Sequence, residues 1–206
     1  MRTLRTLAAA LVMVAVALPV YAGPPTDTVR ESVDRALHVL AAPGLQGAAR
    51  ATERQQQVRE IAGRLFDFEE MATRALGVHW KDSSPAERVR FVGLFTDLFE
   101  STYFAKIDAY GGDGSVRYGA ESVDGDHATV RSTVITPKGS EVTIDYRLLQ
   151  RDGRWRVYDV SIEGMSLVSS YRAQFNQIIR TSSYETLVDR LDKKTPGSPR
   201  AASTGS

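Results

Sequence analysis

The hydrophobic period of this chain changes twice, and these changes limit the possible folds more than any other feature. From Thr26 to Tyr110 apolar residues recur at helical spacing, and Gly111 with Gly112 then interrupts the pattern. Four runs rich in β-branched and aromatic residues follow, separated by turn residues. Helical spacing returns after Gly164. The sequence therefore predicts an α+β domain with amino-terminal helices, an antiparallel sheet and closing carboxy-terminal helices.

Two of the predicted helices have start signals. Asp67 and Glu70 form a capping box for a short helix that ends at Gly77. Ser84-Pro85-Ala86-Glu87 supplies an N-cap serine, a proline at the first helical position and a glutamate that closes the box. The helix that it opens is predicted to be long, because apolar residues keep the helical period as far as Tyr110.

The four predicted strands are 115–123, 128–136, 141–150 and 154–162, joined by hairpin turns into an antiparallel meander. A two-residue turn at Asp152-Gly153 would place Leu148 opposite Val157 and Asp159 opposite Tyr146. Strict alternation then puts Val160 and Ile162 on the face opposite to Tyr146. Both faces would carry apolar residues, so both would need helical cover. We expect it from the preceding helices, from a helix over 166–180 and from a last helix opened by Ser182 and Glu185.

The two ends of the chain predict a secretory signal peptide and a disordered tail. Arg2 and Arg5 precede a short apolar run that ends in Val20-Tyr21-Ala22, the pattern of a secretory signal peptide over residues 1–22. We expect a single domain over 23–192 and a disordered tail over 193–206. The chain has no cysteine, so its core must hold it together without disulfides.

Charge and titratable residues point away from several function classes. Loss of Arg2 and Arg5 with the leader would change the formal net charge from +1 to −1, which argues against nucleic acid as a partner. The three histidines, His38, His79 and His127, lack metal-ligand spacing. We therefore expect no metal, no cofactor and no catalytic residues.

Two overlapping segments carry a family resemblance. Residues 153–160 read GRWRVYDV, and residues 158–179 read YDVSIEGMSLVSSYRAQFNQII. These segments resemble the signature of the MlaC/toluene-tolerance (Ttg2-type) family, periplasmic proteins that carry phospholipid between the two membranes of Gram-negative bacteria. LGVHW at 76–80 and TYFAKIDAY at 102–110 support the resemblance, which extends over about 26–192.

The resemblance implies a fold, a cargo and partners. Family members have helices, a curved antiparallel sheet and closing helices, with an apolar cavity between sheet and helices that holds acyl chains. This chain would then be a monomeric, periplasmic phospholipid carrier that helps to maintain outer-membrane lipid asymmetry. Its partners would be an MlaA-porin complex at the outer membrane and the MlaD ring of an inner-membrane ABC transporter.

A closed apolar pocket is what such a carrier needs. Two chains of roughly fourteen methylenes would cost about 20 kcal/mol to expose to water, and a pocket for them should approach roughly 1,000 Å³. The candidate lining residues are apolar or aromatic and come from the long helix, the sheet and the closing helix: Phe95, Phe99, Tyr103, Ile107, Val142, Ile144, Tyr146, Leu148, Val157, Met165, Val168 and Tyr171. For each of them taken singly, an ordinary core position is the favoured interpretation, because core residues outnumber pocket residues in almost any domain. Tyrosines are candidates for the rim of the pocket.

Three alternatives stay open at this point. A cone-shaped isomerase could use Tyr146 with Asp159, or with Asp108, Asp145 or Glu163, to move a proton in an apolar pocket. An interaction module could dock through the arginine-rich segment 50–64. A carrier of the same family could take another lipid, such as a hopanoid.

Overall fold

A computed structural model describes residues 24–45, 47–109, 115–136 and 139–194 of the chain, without the side chains of 48 and 105–109. The predicted signal peptide, Tyr110 to Gly112, Pro137 with Lys138, and residues 195–206 lie outside this description. The helices are α1 Pro25–Ala41, α2 Ala51–Leu65, α3 Phe68–Leu76, α4 Pro85–Ala109, α5 Leu167–Thr181 and α6 Tyr184–Lys194; the strands are β1 Ser115–Asp124, β2 His127–Ile135, β3 Glu141–Arg151, β4 Arg154–Ile162 and β5 Met165–Ser166.

The predicted capping box of α4 is confirmed. The Ser84 N–H donates to Glu87 Oε2 at 2.7 Å, and the Glu87 N–H donates to Ser84 Oγ at 3.3 Å. The bonds from the Ser84 side chain and backbone hold the pKa of Glu87 below its usual value.

The signals at α3 and α6 are confirmed less completely. Asp67 caps α3 by accepting from the Glu70 N–H at 3.0 Å, but the Glu70 carboxylate binds Arg74 and Arg151 and does not close the box. The prediction that Ser182 opens the last helix is wrong. Ser182 ends α5, and the hydroxyl of Ser183 accepts from the Thr186 N–H at 3.2 Å. α6 also includes the first two residues of the predicted tail.

The sheet is an antiparallel meander in the order β1-β2-β3-β4-β5, as predicted except for its strand count. Glu163-Gly164 was predicted to lead directly into a helix. Both residues have positive φ, 49° and 79°, and form a hairpin turn that pairs Met165 with Ile162. The sequence does not predict β5, because a two-residue strand is too short to show an alternating pattern.

A bulge makes part of the predicted register wrong. Leu148 does lie opposite Val157, but the register then shifts and Arg147, not Tyr146, lies opposite Asp159. Tyr146 pairs with Val160. Strict alternation cannot anticipate an inserted residue, which moves every following side chain to the other face. Val160 and Ile162 therefore pack with Tyr146 on the inner face.

The two faces of the sheet differ in polarity. α1, the end of α2 and the start of α5 pack against the inner face. The outer face carries the ion pairs Arg131–Asp145 at 2.7 Å and Arg117–Glu141 at 2.6 Å, and both arginines are largely exposed. The expectation of helical cover on both faces is wrong for this part of the sheet, because charged side chains are solvated there.

A side chain at Gly77 is predicted to strain the backbone. It ends α3 with φ 60° and ψ −126°, and an added Cβ would lie 3.2 Å from Arg172 Cδ. Gly77→Ala should lower the free energy of unfolding by about 1–3 kcal/mol. Gly93→Ala is the control: it lies in α4 with nothing within 4 Å of the added Cβ, and should stabilise by about 0.5–1 kcal/mol. Urea denaturation measures both, and equal stability of the two variants would contradict the assignment.

Candidate functional site

The apolar interior consists of two clusters that meet at two side chains. The helical cluster contains buried residues of α3 to α6: Met71, Ala72, Ala75, Leu76, Phe91, Leu94, Phe95, Leu98, Phe99, Val168, Phe175, Leu187, Val188 and Leu191. The sheet cluster contains Val29, Leu65, Ala128, Val130, Tyr146, Leu148, Trp155, Val157 and Val160. Phe66 and Leu167 pack against both clusters and are only partly buried. We call this boundary the Phe66–Leu167 seam.

An aromatic column runs along α4 through the helical cluster. Phe91, Phe95, Phe99 and Tyr103 are spaced four residues apart, and successive ring centroids are separated by 6.3, 6.4 and 4.8 Å. Tyr171 of α5 meets Phe95 edge-to-face at 5.6 Å. The column thus leads from the buried interior to Tyr103 near the end of the helix.

Tyr103 lies in a cavity of about 600 Å³ between α4, α5 and α6, here called the α4–α6 cavity. Its walls are mainly apolar and aromatic: Leu98, Tyr103, Leu167, Tyr171, Phe175, Ile178, Leu187 and Leu191. Thr102, Ser170 and Gln174 add neutral polar groups, and the cations Arg190, Lys193 and Lys194 lie at the edge. Burial, and then the neighbouring Tyr171 hydroxyl, raises the pKa of Tyr103 above its ordinary value.

α5 also borders a second cavity of about 670 Å³, here called the Gly77 cavity. It lies between α5 and the 3₁₀ turn Gly77–Trp80, where His79 Nε2 lies 3.0 Å from Asn176 Oδ1. Consecutive residues of α5 face different cavities: Ser169 lines the Gly77 cavity, and Ser170 lines the α4–α6 cavity.

The predicted lining residues do not share one surface. Tyr103 and Tyr171 line the α4–α6 cavity. Phe95, Phe99 and Val168 belong to the helical cluster. Tyr146, Leu148 and Val157 belong to the sheet cluster, and Ile144 packs against it. Val142 is partly buried, Met165 is 68% exposed, and the side chain of Ile107 is outside the described part. Their contact with lipid stays a prediction.

Sequence reasoning missed the contribution of α6 to a cavity. Leu187, Arg190, Leu191 and Lys194 line the α4–α6 cavity and are spaced so that they lie on one helix face. This i, i+3, i+4, i+7 pattern was visible in the sequence, but it mixes apolar and cationic residues and resembles an ordinary amphipathic surface helix.

A buried carboxylate fixes the amino-terminal end of α5. Asp159 is 3% exposed and accepts from Ser166 Oγ at 2.7 Å, the Val168 N–H at 3.2 Å and Arg147 Nη1 at 3.3 Å. Ser166 is also the N-cap of α5, since its Oγ accepts from the Ser169 N–H at 3.0 Å. Asp159 therefore attaches α5 to β4.

This arrangement removes the geometry on which the isomerase alternative depended. Asp159 does not lie opposite Tyr146. Asp145 forms two hydrogen bonds with Arg131, and Glu163 accepts from the Thr143 N–H; the side chain of Asp108 is outside the described residues. Within the described ranges, no group of three or more His, Asp or Glu residues could hold a metal ion.

The arginine-rich segment proposed for docking is used largely within the fold. The buried Arg54 donates to the Leu45 carbonyl at 2.6 Å, and Arg59 pairs with Glu100 at 2.9 Å. Arg50 pairs with Glu53 along the helix at 2.7 Å. These contacts explain the charges of Arg50, Arg54 and Arg59 without a partner protein.

Asp159→Asn is predicted to loosen the start of α5. The variant keeps the size of the side chain but removes the charged acceptor of three hydrogen bonds, so we expect a loss of about 1–3 kcal/mol in the free energy of unfolding. Asp145→Asn, which breaks an ion pair on the outer face, should cost less. Hydrogen exchange of the Val168 amide should rise in Asp159→Asn alone; unchanged exchange would contradict the anchoring role.

Comparisons with known proteins agree on one family. A family model described as "MlaC protein" matches residues 30–193. The chain is 22% identical over 131 residues to the intermembrane phospholipid transport system binding protein MlaC of Haemophilus influenzae. That alignment covers 62% of this chain and 61%, less than two thirds, of the relative.

A solved structure matches this chain over most of its length. The phospholipid-binding protein from Ralstonia solanacearum, in complex with a phospholipid, is 28% identical and superposes with a TM-score of 0.75. The match covers 84% of this chain and 97% of that chain. It confirms the predicted α+β architecture. None of the helices in the described ranges is long and apolar enough to cross a membrane.

Proposed function

Because this chain belongs to the MlaC family, we propose that it is a periplasmic phospholipid carrier that moves lipid between the outer and inner membranes. The observation that supports this most is the α4–α6 cavity, which has an apolar wall and a cationic edge and connects to the aromatic column of the helical cluster. The Ralstonia solanacearum protein with the same fold holds a phospholipid. The proposal assigns the chain no catalytic step and no cofactor.

Acyl chains would lie in the α4–α6 cavity and extend along the Phe66–Leu167 seam. The cavity, at about 600 Å³, is within the range of ligand sites but smaller than the roughly 1,000 Å³ expected for two chains. Phe66 and Leu167 are the partly buried side chains that pack against both clusters. Separating the clusters there would extend the cavity toward the predicted sheet residues Ile144, Tyr146 and Leu148.

Such a carrier requires partners that open it. Two enclosed acyl chains bind too strongly to leave by diffusion on a useful timescale, because each methylene contributes about 0.8 kcal/mol. We assign the donor and acceptor roles to an MlaA-porin complex and to the MlaD ring of an ABC transporter. Met165, 68% exposed and next to Ser166, the N-cap of α5, is the candidate contact residue.

The cargo is tested by native mass spectrometry of the protein purified gently from its host. We expect about one phospholipid per chain, retained through mild detergent washing because the acyl chains are enclosed. Organic extraction and lipid analysis identify the molecule. A protein that carries no lipid, before and after incubation with phospholipid vesicles, would contradict the proposed function.

The position of the lipid is tested by filling one cavity at a time. Ser170→Trp should obstruct the α4–α6 cavity and lower lipid loading severalfold, because the indole would occupy space needed by an acyl chain. Ser169→Trp is the matched control, since the neighbouring exposed serine lines the Gly77 cavity. Lipid per chain and thermal stability are measured together. Loss of loading in Ser169→Trp alone would place the lipid in the Gly77 cavity.

The partner role predicts a separation of loading from transfer. Met165→Asp should retain bound lipid but slow its transfer to a membrane-anchored MlaD ring, because a charge would enter an apolar contact. Val123→Asp is the control, an exposed apolar residue at the end of β1. Fluorescent-lipid transfer measures both. Transfer to plain liposomes as fast as transfer to the ring would show that no docking step is needed.

A further inference from the structure

The Gly77 cavity is an open cleft, and its lining differs from that of the α4–α6 cavity. Its apolar side chains are Leu76, Val78 and Ala173, and Val78 is 74% exposed. Among the described residues, no phenylalanine, tyrosine or tryptophan lines it. An acyl chain needs enclosure, because apolar surface left in water is unfavourable. The cleft offers too little apolar cover for a lipid tail, although its volume of about 670 Å³ is within the range of ligand sites.

Contacts between the 3₁₀ turn and α5 fix the shape of the cleft. His79 Nε2 lies 3.0 Å from Asn176 Oδ1, which joins the turn to the helix. The aliphatic part of Arg172 lies against Gly77, since a Cβ added to this glycine would be 3.2 Å from Arg172 Cδ. The missing side chain at Gly77 therefore permits a close approach to α5. A preformed cleft of this kind binds a ligand without the entropy cost of ordering its own walls.

The cleft carries charge of one sign. Lys81 and Arg172 line it, and none of the described lining residues is acidic. Both cations are exposed, and neither forms an ion pair or a side-chain hydrogen bond within the described ranges. Arg74, in contrast, pairs with Glu70 at 2.8 Å. A single unpaired cation is common on a protein surface, but two beside one apolar cleft create a local field that attracts carboxylates.

We propose that the Gly77 cavity docks a segment of a partner protein that carries an aliphatic side chain next to carboxylates. The aliphatic side chain would contact Val78 and Ala173, and the carboxylates would pair with Lys81 and Arg172. Two cations are too few to hold nucleic acid or an anionic membrane surface. The inference rests on the proposed function for the existence of membrane-bound partners, and adds the surface and the chemistry that such a partner would recognise.

α5 borders both the docking cleft and the cavity proposed for lipid. Arg172 and Asn176 line the cleft, whereas Tyr171 and Phe175 line the α4–α6 cavity. A docked segment would therefore contact the helix that borders the lipid without entering the lipid cavity. Mutations in the cleft should accordingly weaken docking and leave loading unchanged.

The test places a photo-crosslinking residue in the cleft. The lipid-loaded mature protein with Val78→benzoylphenylalanine is irradiated separately with the MlaD ring and with the MlaA-porin complex, and crosslinked peptides are sequenced by mass spectrometry. We expect a crosslink to at least one complex, in a segment that contains Asp or Glu. The matched control is Val89→benzoylphenylalanine, because Val89 is 76% exposed on α4 and does not line the cleft.

Charge reversal tests the role of the two cations. Lys81→Glu/Arg172→Glu should slow association with the crosslinked complex about tenfold at low salt, and the difference should shrink as salt is raised. Lipid loading should equal that of wild type, because neither residue lines the α4–α6 cavity. Arg154→Glu/Arg180→Glu is the control: it changes the net charge equally, has one residue on α5 and lies outside the cleft. It should associate like wild type.

The outcomes separate this inference from the function on which it rests. The inference is overturned if Val78 gives no more crosslinking to either complex than Val89, or if Lys81→Glu/Arg172→Glu associates normally. Equal loss of association in both charge variants would also overturn it, because the attraction would then be general. A crosslink to bound lipid or to a second copy of the chain would assign the cleft to that occupant instead. A wild-type protein that carries no lipid would reject the carrier function, whatever the crosslinks show.

Discussion

The attachment of α5 to the sheet determines the geometry of both cavities. Asp159 joins β4 to the amino-terminal end of α5 through Ser166 and the Val168 N–H. One side of α5 then closes the Gly77 cavity and the other side closes the α4–α6 cavity. Because the carboxylate is buried, its hydrogen bonds are costly to break. The position of a helix that borders ligand space thus depends on one polar group at its end, while the rest of the helix is held by apolar contacts.

A polar anchor at one end of α5 and apolar contacts along the rest of the helix suit a protein that must enclose and release an apolar ligand. Apolar contacts are non-directional, so side chains at the Phe66–Leu167 seam can exchange protein contacts for acyl-chain contacts at little cost. The hydrogen-bonded anchor of α5 has no such freedom. We infer that loading moves the middle and carboxy-terminal end of α5, together with α6, and leaves the anchored end in place.

Local signals made the fold predictable, whereas the site depends on packing between distant segments. The capping residues Ser84 and Glu87 and the turn at Asp152-Gly153 act within a few residues, so they could be identified from the sequence. The bulge that places Asp159 opposite Arg147 has no comparable local signal. The cavity brings together residues as distant in sequence as Leu98 and Arg190. Tyr103 and Tyr171 were predicted as lining residues from the family resemblance and from their aromatic character.

Photo-crosslinking of bound lipid tests the central claim most directly. Phosphatidylglycerol with a diazirine in one acyl chain is loaded, irradiated and mapped by peptide mass spectrometry. We expect adducts on side chains of the α4–α6 cavity, chiefly Tyr103, Leu167 and Tyr171, with further adducts near Phe66. Adducts confined to the Gly77 cavity or to the charged outer face of the sheet would contradict this account of how the chain holds lipid.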